Sequence, residues 1–184
     1  PVNSDLSNLV IDPGFEAGSP NPHWLEQSVA FGSPICSAAL NCGSAQRSGD
    51  YWVLFGGVII DPEEAMVSQA LTIPDTAYEL SFWIRVDSCD SPSDYIEVLL
   101  DDVTLWTLTG DDPVCGEAVY SEVVLDITPY ADNAQHELVF HAETFSINFD
   151  SSDFHVDDIF LPRGPQQPIP SICEEDVIFR DGFE

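Results

Sequence analysis

Lysine is absent from this chain, and its basic side chains are four arginines, Arg47, Arg85, Arg163 and Arg180, set against 33 acidic residues. A net charge of -29 repels nucleic-acid phosphates and anionic lipid head groups, which excludes polyanions as partners. It leaves hard cations such as Ca2+ or Mg2+ as fitting partners, because a dense carboxylate surface supplies the oxygen ligands they prefer. The competing reading is a surface that only keeps the protein soluble or suits it to salt. Missing lysine also rules out lysine isopeptide crosslinks and leaves arginine as the trypsin target. No run of roughly 18 apolar residues occurs, so no helical membrane span is expected. Without a signal peptide in view, the chain reads as a mature, exported, soluble protein.

Catalytic signatures are missing too. There is no CxxC pair, HExxH helix, nucleophile elbow or phosphate loop. The four histidines, His23, His136, His141 and His155, are scattered. His155 shares a strand face with Asp157, and in that setting it reads as a surface residue or one that supports the carboxylate rather than as a catalyst. Acids are too numerous to single out the pair that glycoside hydrolysis needs. The chain is read as non-enzymatic.

What is present is a folded domain. A hydrophobic content of 44% and an aromatic content of 11% in 184 residues argue for one ordinary core and against disorder. Strand-like runs recur as YWVLFGG, AMVSQALTI, AYELSFWIRVD, YIEVLLDD, VTLWTLT, VYSEVVLDI, HELVFHAETF and FHVDDIFL. Each is rich in β-branched and aromatic residues and bounded by turn formers, while no sustained helical period occurs. The expected architecture is all-β: a two-sheet antiparallel β-sandwich, a jelly roll, over residues 1–162. A Pro/Gln-rich linker (163–172) and a strand-like, extended C-terminal tail (173–184) follow it.

Five cysteines suggest two bridges and one thiol left over. Cys36 and Cys42 would close a small loop, Cys89 and Cys115 would tie two turn-like segments together, and Cys173 would stay free or bond another chain. In the tail, Val177, Ile178 and Phe179 form a β-prone run. It either folds back on its own domain or adds a strand to a neighbour's sheet edge, giving a homo-oligomer or polymer.

Alternation in AYELSFWIRVD assigns Tyr78, Leu80, Phe82, Ile84 and Val86 to the core and leaves Trp83 and Arg85 on the outer face. HELVFHAETF likewise puts Val139, His141 and Phe145 opposite the core residues Leu138, Phe140 and Ala142. Aromatic residues on an outer face imply cover by loops, a partner, or a ligand. Trp83 and Arg85, with His141 adjacent, are the candidate sugar or protein contacts, since C–H groups of a sugar ring pack on aromatics while its hydroxyls need hydrogen bonds. Trp24, Tyr51, Trp52 and Trp106 read as core or rim.

The run DFHVDDIFLP (153–162) carries adjacent carboxylates, Asp157 and Asp158, in an otherwise packing strand. Strict alternation sends them to opposite sides, so one faces inward, where an unpaired carboxylate costs several kcal/mol. A cation is the simplest remedy, with Glu16 in NLVIDPGFEAG as a further ligand.

NLVIDPGFEAG with PHWLEQS near the start, VSQALTIPDTAYELSFWIRV in the middle and FHVDDIFL at the end resemble secreted galactose-binding-like jelly-roll modules. The pattern is similar to carbohydrate-binding modules with an Asn-Gly-Gly-Phe-Glu start and to MAM-type adhesion domains, over roughly residues 8–162. The resemblance implies a structural Ca2+ held by Glu16 and Asp157, with Asp158 as a further candidate, although Asp12-Pro13-Gly14 replaces the usual Asn-Gly-Gly. The ending IFRDGFE resembles C-terminal endings on exported proteins of some Gram-negative bacteria, which implies a secreted protein at a bacterial cell surface. Two functions follow as expectations. One is a Ca2+-stabilised structural or adhesive subunit that self-assembles through its tail into a filament or surface layer. The other is a carbohydrate-binding module that recognises a polysaccharide through an aromatic sheet face.

Overall fold

In a computed structural model of the chain, the residues described are 7–57, 62–89, 91–145 and 152–164. Ten strands form two five-stranded antiparallel sheets. The first sheet has the order β1 (Leu25–Ser28), β4 (Glu63–Thr72), β9 (Gln135–Thr144), β6 (Tyr95–Leu100) and β7 (Val103–Thr109). The second runs β2 (Ile35–Ser37), β3 (Tyr51–Phe55), β10 (Asp153–Phe160), β5 (Glu79–Ser88) and β8 (Glu117–Asp126). The expected antiparallel β-sandwich is therefore the observed fold. β1 and β2, of four and three residues, were not anticipated, because such short stretches carry no readable alternation. Cys173 and the tail run Val177, Ile178 and Phe179 lie outside the described residues.

The core forms where the inward rows of the two sheets meet. Leu80, Phe82, Ile84 and Val86 of β5 are buried as their alternation predicts, and they face Leu138, Phe140 and Ala142 of β9. Phe82 meets Phe140 edge to face, with ring centroids 5.1 Å apart, a geometry that aromatic quadrupoles favour. Tyr78 departs from its assignment: it lies between the Pro74–Ala77 turn and the start of β5 and is 46% exposed. Trp24 and Trp52 are buried, and Tyr51 and Trp106 are half-buried against the core.

The N-terminal segment closes one end of the sandwich. Leu9 N–H donates to Leu161 O (2.8 Å) and Arg163 N–H to Ser7 O (3.2 Å), so the first and last described segments run side by side. The buried amide of Gln69 on β4 accepts from Ile11 N (2.8 Å) and donates to Ile11 O (2.9 Å) and His23 O (3.2 Å). Phe15 is fully buried and packs on Trp24 at 5.1 Å. Both intrachain bridges read from the sequence, Cys36–Cys42 and Cys89–Cys115, are formed.

His136, at the start of β9, is buried with Nδ1 2.5 Å from Asp101 Oδ2 and Nε2 3.0 Å from Asp132 Oδ1. Burial pulls its pKa down, but the bonds to Asp132 and Asp101 outweigh burial and leave it raised. Asp101 is held low by the N–H of Glu137 and by His136. The raised histidine adds stability that is fully present below its ordinary value of 6.5 and is lost as pH rises through the folded value; the lowered Asp101 adds stability that is lost in strong acid. The melting temperature of His136→Gln should thus fall furthest below wild type in mild acid and approach it above neutrality. A deficit that does not vary with pH would show that His136 contributes packing alone.

Candidate functional site: two outer sheet faces

The two outer faces differ in kind. On the second sheet, Trp83 of β5 lies opposite Asp157 of β10 and Glu122 of β8 in the register, and Arg85 lies opposite His155. The loop between η1 (Ala38–Leu40) and β3 folds over this row. The Arg47 guanidinium lies 3.7 Å above the Trp83 ring, a cation–π contact worth about 1–2 kcal/mol. Tyr120 Oη donates to Ala45 O (2.6 Å). Below them Arg85 is forked onto Asp87, and His155 is buried 3.7 Å from Asp87. Burial holds His155 down to about 4, hence neutral at pH 7. Of the alternatives for Trp83 and Arg85, the structure shows loop cover, with the loop tied back by Cys36–Cys42.

Asp157 belongs to this covered layer. Its side chain is fully buried, and it accepts from Arg47 N (2.8 Å), Ser48 N (3.1 Å) and Asp158 N (2.7 Å). Burial raises its pKa to about 6 against the opposing pull of these N–H groups. Asp158 corrects the alternation argument. A register shift between Asp157 and Phe160 and a φ of 49° at Asp158 mark a β-bulge, so the two carboxylates do not diverge. Asp158 accepts from Ser48 Oγ (2.7 Å) and pairs with Arg47 Nη1 (2.5 Å). The bulge also resets the phase, so that Ile159 and Leu161 enter the core.

Glu16 lies beside them. Its carboxylate accepts from Asp50 N (3.1 Å) and Tyr51 N (3.2 Å). A Cβ on Gly49 would come within 2.0 Å of Glu16 Oε1, and its φ of +59° is one that glycine accepts freely. Gly14 is flanked by all three acids: an added Cβ would meet Asp157 Oδ1 at 3.5 Å, Asp158 Oδ1 at 3.6 Å and Glu16 Cγ at 3.8 Å. The structure thus brings together the three residues singled out as metal ligands. Carboxylate oxygen suits a hard cation, yet as folded these oxygens face backbone N–H groups, the Ser48 hydroxyl and one guanidinium. Among the described residues, no group of three or more His, Cys, Asp or Glu side chains is set to hold a metal ion.

His141 is not adjacent to Trp83 and Arg85, contrary to expectation. It stands on β9 of the first sheet, on the opposite side of the sandwich. Period-2 alternation along two separate strands cannot tell which sheet each belongs to, and hence which faces meet. On this face the register aligns Gln27, Met66, His141, Glu97 and Thr107 in one row across all five strands. A second row runs through Glu64, Glu143, Tyr95 and Thr109. His141 Nδ1 is 3.0 Å from Glu97 Oε1 and Nε2 is 3.4 Å from Glu64 Oε1. Tyr95 packs edge-on against the imidazole at 5.8 Å and donates its hydroxyl to Glu143 Oε2 (3.1 Å). A cleft of about 380 Å³ opens between this surface and the turn after β1, lined by Gln27, Val29, Gly32, Glu64, Met66 and His141. Aromatic and aliphatic surface edged by carboxylates and amides can pack a sugar ring and bond its hydroxyls. Tyr95, Glu97 and Gln27 escaped the sequence reading. The alternation in YIEVLL placed Tyr95 and Glu97 together, but nothing in the sequence paired β6 with β9.

No protein-family model and no characterised protein sequence matches the chain. Solved structures share its fold. TmCBM61, solved in complex with β-1,4-galactotriose, superposes with a TM-score of 0.61 at 18% identity, over 84% of this chain and 97% of that one. A family 16 carbohydrate-binding module (module 2) gives 0.51 at 22% identity, over 84% and 99%. The K1 cleaved adhesin domain of the Lys-gingipain of Porphyromonas gingivalis gives 0.57 at 14%, over 83% and 96%. At these identities the likeness establishes the fold, a β-sandwich that carbohydrate-binding modules use.

Proposed function

We propose that the chain is an extracellular carbohydrate-binding module, without chemistry of its own, that holds a polysaccharide on the outer face of the first sheet. The observation that carries this reading is the open cleft at His141, where the imidazole, Met66 and Gln27 lie in one cross-strand row and Tyr95, in the next row, packs against the imidazole. Sugar-binding modules among the structures of like fold support it. The finer likeness to modules with an Asn-Gly-Gly-Phe-Glu start and to MAM-type domains belongs to the same proposal, as does a place at a bacterial cell surface. Self-assembly into a filament or surface layer depends on Cys173 and on Val177, Ile178 and Phe179, and no feature of the described residues favours it over sugar binding.

Titration calorimetry against a panel of neutral oligosaccharides tests the reading. His141→Ala should weaken binding by roughly tenfold or more, the loss typical of a central contact. Trp83→Ala, beneath Arg47 on the far sheet, should leave affinity nearly unchanged while lowering the melting temperature. If no oligosaccharide binds, or if Trp83→Ala abolishes binding with the fold intact, the assignment to this face fails.

A structural Ca2+ at Glu16, Asp157 and Asp158 is a second part of the proposal, motivated by their convergence on Gly14. Binding would require the Arg47–Asp50 loop to give up its present bonds to these carboxylates. The expected signature is a melting temperature higher in millimolar CaCl2 than in EDTA, with the difference lost in Glu16→Gln. Identical melting in both solutions would leave the backbone N–H groups, the Ser48 hydroxyl and the Arg47 guanidinium as the carboxylates' partners.

A further inference from the structure

The face that carries the His141 cleft has one sign of charge. Glu64, Glu97 and Glu143 all point from it, and the Glu64 side chain is 65% exposed. None of the described arginines balances them: Arg47 and Arg85 are engaged on the other sheet with Asp158 and Asp87, and Arg163 lies beside Ser7 and Thr76 at the end of the sandwich. The three carboxylates act on one spot. Tyr95, between them and His141, has its pKa raised to about 12, first by burial and its bond to Glu143, then by the negative fields of Glu143, Glu97 and Glu64. A phenolate there would meet like charges, and so would any anion brought to the cleft.

We infer that the His141 cleft, as the sugar site proposed above, discriminates glycans by charge: it prefers amino sugars bearing an ammonium group, accepts neutral sugars more weakly, and rejects uronates and sulfated sugars. This rests on the sugar-binding reading and adds a substrate class to it. Glu64 is the residue placed to make the choice. Its carboxylate is mostly in water and is not fixed by a hydrogen bond shorter than the 3.4 Å approach of His141, so it can turn toward an ammonium at the cleft mouth. Glu97 is less available, being held by both His141 and Thr104 Oγ1 (2.9 Å). Aromatic and aliphatic surface from His141 and Met66 supplies the charge-independent part of the contact, which a neutral sugar also uses.

The test compares a glucosamine oligomer, its fully N-acetylated counterpart and a galacturonate oligomer of equal length, by titration calorimetry at mildly acidic pH, in low and high salt. The glucosamine oligomer should bind about fivefold to tenfold more tightly than the acetylated one at low salt, the sum of a few partly exposed charge contacts. The advantage should shrink at high salt, and the galacturonate oligomer should give no heat. Glu64→Gln, at an exposed position where folding is not at stake, should bring the ratio to about twofold. Equal affinity for the first two oligomers, or a preference that survives both salt and Glu64→Gln, would overturn the charge inference and leave the sugar-binding reading standing. Failure of all three oligomers and of the neutral panel would remove both.

Discussion

A single buried carboxylate organises one half of this molecule. Asp157 sits at the outer surface of the second sheet, entirely shielded from water, and three backbone N–H groups converge on it. Two of them come from Arg47 and Ser48, more than a hundred residues away in sequence. Ionised carboxylates are costly to bury without partners, so the strand that carries Asp157 and the loop that caps it stabilise each other. From that loop hang the other contacts of the face: the Arg47 side chain over Trp83 and onto Asp158, and the Ala45 carbonyl that receives the Tyr120 hydroxyl. Gly49 in the same loop lets Glu16 approach, which draws in the N-terminal segment.

Among the described residues, the first sheet has no such keystone on its outer side. Its order comes from the ten-residue pairing of β4 with β9 and from the inward rows that pack against β5 and β10. Because nothing described covers the outer rows, their side chains bond one another: His141 to Glu97, Tyr95 to Glu143, Thr104 to Glu97. These bonds hold the rings and carboxylates in place, which would lower the ordering cost of binding at the proposed sugar site.

What the sequence disclosed, and what it withheld, divides along the range of the interactions. Alternation in AYELSFWIRVD and HELVFHAETF identified the inward rows of β5 and β9, since period 2 is a local property of a strand. The close bridge Cys36–Cys42 was legible for the same reason, and the turn chemistry around Cys89 and Cys115 pointed to the second. Pairing between distant strands was not legible. Trp83 and His141 looked like members of one face because both interrupt an outer row, but the sheet order separates them. Asp157 and Asp158 were recognised as anomalous, Glu16 was named beside them as a carboxylate after a Pro-Gly turn, and the resemblance to a family reinforced the grouping. The bulge that turns both to one side left no mark in the sequence, because Asp158 occupies positive φ where a glycine would have announced it.

The difference between the two faces bears on how such a protein can change over time. Residues in the outer rows of β1, β4, β6 and β9 touch mainly one another, so exchanging Gln27, Met66, Tyr95 or Glu97 leaves the interior packing alone. Each exchange alters what the face presents without drawing on the stability of the fold. The capped face offers no such freedom, because replacing any member strands a buried charge or a hydrogen-bond partner elsewhere in the layer. Surface chemistry can therefore vary on one side of the sandwich while the other stays fixed by its own bonds.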